Sequence, residues 1–168
     1  MGDQAPSLRE RLEAKRRRRL TVPILVDNPE PLQEELIPVL NAIAASSVNG
    51  SSSANELDTL REREADLRAR IRDCVVEVDF QALAPDAFEA LVATHTVPHP
   101  TDGAVVESGT LLPVLAAHCA VDNSLRDEQW WAELLTSEAW TGAEKASLYY
   151  QLFNQLHYAI PPAVLGKG

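Results

Sequence analysis

The chain lacks most of what catalytic, secreted and membrane proteins depend on. Cysteine is nearly absent: Cys74 and Cys119 are the two present in 168 residues, far apart and in no CxxC pairing. Buried, reduced thiols are therefore expected rather than a disulfide. No run of eighteen apolar residues occurs, which excludes a transmembrane helix. The early arginines lead into polar sequence instead of a signal-peptide apolar region. No GxGxxG, GxxxxGKS/T or GxSxG motif is found, so the usual dinucleotide, phosphate-loop and hydrolase readings have no foothold. A cytosolic protein without membrane contact follows as the expectation.

Aromatic residues are also scarce, at 5% of the chain, but they are not spread evenly. All three tryptophans, all three tyrosines and one phenylalanine fall in the last forty residues. Nothing catalytic accompanies them there. Such a segment reads as a packing or protein-binding surface. Within Gln129-Trp130-Trp131-Ala132 the two indoles point in different directions on a helix, so one of them is expected at least half exposed. Phe88, Trp130, Trp131, Trp140 and Tyr150 are the candidate partner-contacting residues.

An apolar fraction of 45% and a charged fraction of 24% are those of a globular protein with a real core. The net charge of -10 is unevenly distributed. Residues 1–20 carry a net +4, residues 21–73 a net -5 and residues 74–168 a net -9. The positive end centres on Lys15, Arg16, Arg17, Arg18 and Arg19. A basic arm on an acidic body suits an acidic protein partner, another copy of the chain, or nucleic acid. The acidic body repels nucleic acid, and no base-stacking aromatics interleave the arm. A protein partner or self-association is the preferred reading.

Along the chain, Ser7-Leu8-Arg9-Glu10 is a capping box, opening a helix that runs towards the basic residues. Thr21-Val22-Pro23-Ile24-Leu25-Val26 reads as an edge strand. Leu32, Leu36, Val39, Leu40 and Ile43 lie at helical spacing, with a kink or split expected at Pro38. Residues 46–53 read as a flexible polar linker, and a second stripe of Leu57, Leu60, Leu67 and Ile71 follows, with Glu64 in its seam. Glu64 with Arg68 and Asp66 with Arg70 are favourable i,i+4 pairs. The two helices form an αα-hairpin. Val76, Val78 and Phe80 alternate with acidic residues as a half-buried strand, which antiparallel pairing with the first strand completes.

Beyond Pro85 everything reads as helical except a loop over residues 96–109. Phe88, Leu91, Val92 and His95 share one face. A helix starting near Thr110 holds Pro113 in its first turn and turns Leu112, Leu115 and Ala116 inward. Residues 126–137 form another helix. The second capping box, Thr141 with Glu144, opens a last helix with Leu148, Tyr149, Leu152, Phe153 and Leu156 on one side. Pro161-Pro162 ends it, before a loose tail. The class is mostly α with a small β ribbon (α+β): a basic helical arm over 1–20, a strand–hairpin–strand unit over 21–80 with its linker near 46–54, a helical bundle over 81–160, and a tail over 161–168.

The candidates for chemistry are thin. His95 and His99 are separated by Pro98 and have no cysteine pair nearby, so no metal is expected. His118 and Cys119 are adjacent on a helix and point apart, which suits buried helix-face residues better than a nucleophile and base. Glu89, Glu128, Glu133 and Glu144 read as carboxylates solvating helix faces. No cofactor is expected.

The order of elements resembles the tail assembly chaperones of long-tailed bacteriophages of actinobacterial hosts. The resemblance runs through Leu8-Arg9-Glu10 to Arg19, Val22-Pro23-Ile24, the helical hairpin, Val76-Glu77-Val78-Asp79-Phe80, and Phe88 to His95. It continues in Leu112-Pro113-Val114-Leu115, Trp131-Ala132-Glu133-Leu134-Leu135 and the last helix with Asn154. Relatives tend to follow the histidine with two prolines, whereas here His95 leads into Thr96-Val97-Pro98-His99-Pro100. The resemblance implies a non-enzymatic protein of the infected bacterial cytoplasm that binds the helical tape measure protein while tails polymerise. It also implies a longer frameshifted product, and Gly166-Lys167-Gly168 is compatible with a slippery run of G and A nucleotides. Two other classes remain open: a structural head–tail or tail component of the virion, and a nucleic-acid-associated factor using the basic arm.

Overall fold

The computed structural model describes residues 5–50 and 53–159. The expected stop at Pro161-Pro162 and the tail over 161–168 lie outside the described residues. The chain divides into two compact units, Met1–Val22 with Asp79–Gly168, and Pro23–Val78. Among the described residues helix predominates, beside two antiparallel two-stranded ribbons, so the class is α+β. Among the described residues no helix is long and apolar enough to cross a membrane.

The strands β1 (Arg19–Leu25) and β2 (Val75–Gln81) pair as expected. Ala82 donates its N–H to Arg18 O at one end, and Val26 donates to Cys74 O at the other. Alternation along β2 is less complete than its sequence suggests. Phe80 is fully buried and Val78 half-buried, but Val76 is exposed.

Residues 23–78 hold the helical hairpin of α2 (Glu30–Asn49) and α3 (Ala54–Asp73), which pack side by side. Leu36 and Leu67 are buried, and Arg63 reaches Glu35 at 2.7 Å from one helix to the other. Both expected i,i+4 pairs form, Arg68 with Glu64 at 2.8 Å and Arg70 with Asp66 at 3.8 Å. Two expectations need correction. Of the kink or split expected at Pro38, the split does not occur, and α2 runs through it; Pro38 sits on the exposed side, where only one backbone bond is forgone. The linker is also much shorter than residues 46–53. Ser46 and Ser47 are helical and turn their hydroxyls back onto Ala42 O and Ile43 O. Gly50, left-handed at φ 58°, closes α2. Ser53 with Glu56 then makes a capping box that opens α3.

The other unit begins with α1 (Leu8–Glu13), whose capping box is present in both halves. The helix ends at Glu13, before the basic run rather than through it. Adjacent cations repel one another, and an extended segment spaces them further apart than a helix would. On the far side of β2 come α4 (Pro85–Thr94), α5 (Ser108–Cys119), α6 (Glu128–Thr136) and α7 (Gly142–Tyr150). A π-helical turn, Gln151–Gln155, continues α7.

Residues 96–109, expected as a loop, contain a second ribbon of β3 (Thr96–His99) and β4 (Gly103–Val106). Glu107 donates to His95 O, so alternate pairs from there are hydrogen-bonded. Pro98, opposite Ala104, therefore falls on a pair that exchanges no hydrogen bond, and its missing N–H costs the ladder nothing. Gly103 supplies the positive φ of 75° that the turn requires.

α5 is the centre of this unit. Leu111, Leu112, Leu115, Ala116, Ala117 and Cys119 are buried on every side of it, the pattern of an enclosed helix. It also starts earlier than expected, at Ser108, which puts Pro113 inside the helix rather than in its first turn. Around it lie Val22, Phe80, Phe88, Trp131, Leu148 and Leu152, all buried.

Candidate binding surfaces

Two concave surfaces stand out, both within the unit formed by residues 1–22 and 79–168. The larger is an open groove of about 910 Å³ between α5, α6 and α7. Each helix presents one face to it: Gly109 and Pro113 from α5, Ala132 and Leu135 from α6, Gly142 and Ala146 from α7. Spacings of three and four residues keep these positions on one side of their helices. Four of these six are glycine or alanine, and larger residues, Gln129, Lys145 and Tyr149 among them, share the lining. Leu112, Pro113 and Leu135 are the buried apolar floor.

Polar groups share the groove's lining, Ser108, Thr110, Glu128, Gln129, Thr136 and Lys145 among them. Glu128 at the rim meets His118 Nε2 at 2.6 Å. His118 was expected on a buried face and is exposed instead, because it points away from the core that takes up Cys119. Burial pushes the Cys119 thiol up to about 12, a group far from nucleophilic. Of the remaining carboxylates, Glu133 accepts from Gln129 at 2.9 Å. Glu144 caps α7, and the Thr141 backbone N–H holds its carboxyl below the usual range. His95 bonds the Thr110 hydroxyl, whereas His99 turns towards Thr101 and Asp102. Among the described residues no group of three His, Cys, Asp or Glu side chains is placed to hold a metal ion.

The second surface is a cleft of about 750 Å³ lined by Lys15, Arg16, Arg17 and Arg18 on one side and by α4 and the end of the last helix on the other. Arg17 donates to Ala82 O at 3.2 Å, and Arg18 donates to the carbonyls of Gln155 and Ala159. The basic segment thus lies against the body as a fixed strap. Arg19 enters β1 and is exposed.

Beneath the cleft, His157 stacks on Phe88 with ring centres 4.0 Å apart. Its Nδ1 donates to Leu152 O at 2.7 Å, which leaves Nε2 to accept the Leu83 N–H at 3.1 Å. Burial favours the neutral ring and lowers its pKa, against a smaller opposing effect of the Leu152 bond. Phe153 and Tyr149 extend the stack, with ring centres 5.1 Å apart. Tyr149 lines the groove and Tyr158 lines the cleft, so one aromatic cluster underlies both surfaces.

Among the five aromatic candidates, Phe88 and Trp131 are buried, and Phe88 lies on the lining of the cleft. Phe88 is enclosed by Phe153, His157 and Tyr158. Trp131 is 1% exposed, and its indole N–H donates to Leu125 O at 2.7 Å. Trp130 is 40% and Tyr150 54% exposed, while Trp140 is half-buried. None of these three lines the groove. The groove itself was missed because small residues form part of it, and the usable signal was Gly142 and Ala146 four apart on an otherwise bulky face.

Comparison with protein-family models, with curated proteins and with solved structures finds no match.

Proposed function

We propose that this chain is a non-enzymatic assembly chaperone that holds a helical segment of a client, the tape measure protein of a long-tailed bacteriophage, in the groove between α5, α6 and α7. The observation that carries the reading is the groove's lining. Gly109, Ala132, Gly142 and Ala146 allow a client backbone to approach closely over a floor of Leu112 and Leu135. An α-helix is about 10 Å across with its side chains, and its apolar stripe aggregates when left uncovered. Laying that stripe into an apolar groove is a recurring recognition mode. The net charge of -10 keeps coated complexes apart. The sequence resemblance supplies the identity of the client.

The test is co-expression with the tape measure protein, comparing the native chain with Ala146→Arg. Ala146 is exposed at the groove, so an arginine there obstructs the client without disturbing the core. The native chain should raise the soluble fraction of the client and co-purify with it, and Ala146→Arg should do neither while melting normally. No gain in solubility with the native chain would refute the proposal. Recovery of the chain at stoichiometric copy number in purified particles would point instead to a virion component.

A further inference from the structure

We propose that the cleft beneath the basic strap is a second binding site, separate from the groove, for an acidic peptide segment of a partner protein that carries an apolar side chain beside its carboxylates. Lys15, Arg16, Arg17, Arg18 and Arg19 are consecutive cations on a chain of net charge -10. Among the described residues none of the five is paired with a carboxylate. Two are nonetheless held in place, and by neutral groups: Arg17 by Ala82 O, Arg18 by Gln155 O and Ala159 O. Backbone carbonyls fix a guanidinium without cancelling its charge. Lys15 and Arg16 stand beside them, exposed, and make no side-chain hydrogen bond to another described residue. Such a cluster is a counter-ion site already arranged in space, in which an incoming carboxylate meets preset donors. Among the described residues, Glu89 is the one carboxylate on the lining, against four cations.

The opposite wall says what accompanies the charge. Half-buried Leu83, exposed Pro85 and the exposed ring of Tyr158 offer an apolar surface next to the cations. The nitrogens of His157 are both engaged and add no further donor to a ligand. An aliphatic or aromatic side chain flanked by Glu or Asp satisfies both walls. Nucleic acid satisfies them less well. A strand carries a negative charge at every nucleotide and must lie along a body that repels it, and Tyr158 is a single stacking ring where strand binders use several. A cleft of about 750 Å³ suits a few peptide residues.

Fluorescence anisotropy with a labelled Glu-Glu-Leu-Glu-Glu-Leu peptide tests the site. The controls are a Lys-for-Glu peptide and an oligo-dT strand of the same net charge. The native chain should bind the acidic peptide with an affinity that falls as salt rises, and should not bind the lysine peptide. The Lys15→Ala/Arg16→Ala double variant removes no side-chain bond to another described residue. It should fold normally by circular dichroism and bind about tenfold more weakly, as two lost charge contacts imply. Ala146→Arg, which alters only the groove, should leave this affinity unchanged. Absence of acidic-peptide binding, or affinity unaltered in the double variant, would overturn the proposal. Tighter binding of oligo-dT with the same loss in the double variant would also overturn it, reassigning the cleft to nucleic acid.

Discussion

Replacing each of the adjacent tryptophans in turn separates core from surface in the C-terminal helices. Trp131 is 1% exposed, tilted against Phe80 at 6.2 Å and perpendicular to Trp130 at 5.1 Å. Truncating a buried tryptophan to alanine costs about 3–5 kcal/mol. Here the orphaned Leu125 carbonyl puts the expected loss for Trp131→Ala towards the upper end, a large share of a typical domain's stability. Trp131→Phe keeps most of the ring but loses the 2.7 Å bond from the indole to Leu125 O, for about 1–2 kcal/mol. Trp130→Ala removes one edge-to-face contact from a side that is already 40% exposed, for about 1 kcal/mol. Urea unfolding followed by far-ultraviolet circular dichroism measures all three without relying on the tryptophans themselves. The order should be Trp131→Ala, then Trp131→Phe, then Trp130→Ala. A larger loss for Trp130→Ala than for Trp131→Ala would refute this assignment of core and surface.

Three further predictions follow from local chemistry. The His157 pKa is depressed below its ordinary 6.5 by burial, so the unfolded chain takes up a proton before the folded one does. The stability contributed by its neutral bonds is complete above about 6.5 and lost as pH falls through the folded value; His157→Phe should flatten that part of a stability–pH curve, and an unaltered slope would contradict a buried, neutral ring. Ser53→Ala removes the cap of α3 and should cost about 1 kcal/mol, read as loss of α3 protection in hydrogen exchange with little change in α5. Cys119, buried and pushed to about 12, should resist thiol reagents until the chain is unfolded; rapid modification of the native chain would show that its helix opens.

The elements that were legible in the sequence are those with one strong local signal. The capping boxes at Ser7 and Thr141, the stripe of Leu57, Leu60, Leu67 and Ile71, and the pairing of the two outer strands all formed. The second ribbon was not legible because Pro98, Pro100 and Gly103 outweighed the β-branched residues at Thr96, Val97, Val105 and Val106. Which partner bonds a proline forgoes depends on register, and single-strand patterns do not contain register. The polar composition of residues 46–53 concealed a helix end, although Ser53 and Glu56 stood at capping-box spacing. The basic strap shows the same limit. Its charge was plain in the sequence, but its attachment joins Arg18 to the carbonyls of Gln155 and Ala159, more than 130 residues away. The π turn at Gln151–Gln155 likewise has no local signature in this chain.

Hydrogen exchange of the native chain, alone and with a soluble fragment of the tape measure protein, tests the groove most directly. Client binding should slow exchange in Ser108–Cys119, Glu128–Thr136 and Gly142–Tyr150, the helices that wall the groove, and this slowing should vanish in Ala146→Arg. Protection confined to the hairpin of Glu30–Asn49 and Ala54–Asp73, or no protection at saturating fragment, would contradict the assignment of the groove as the client site.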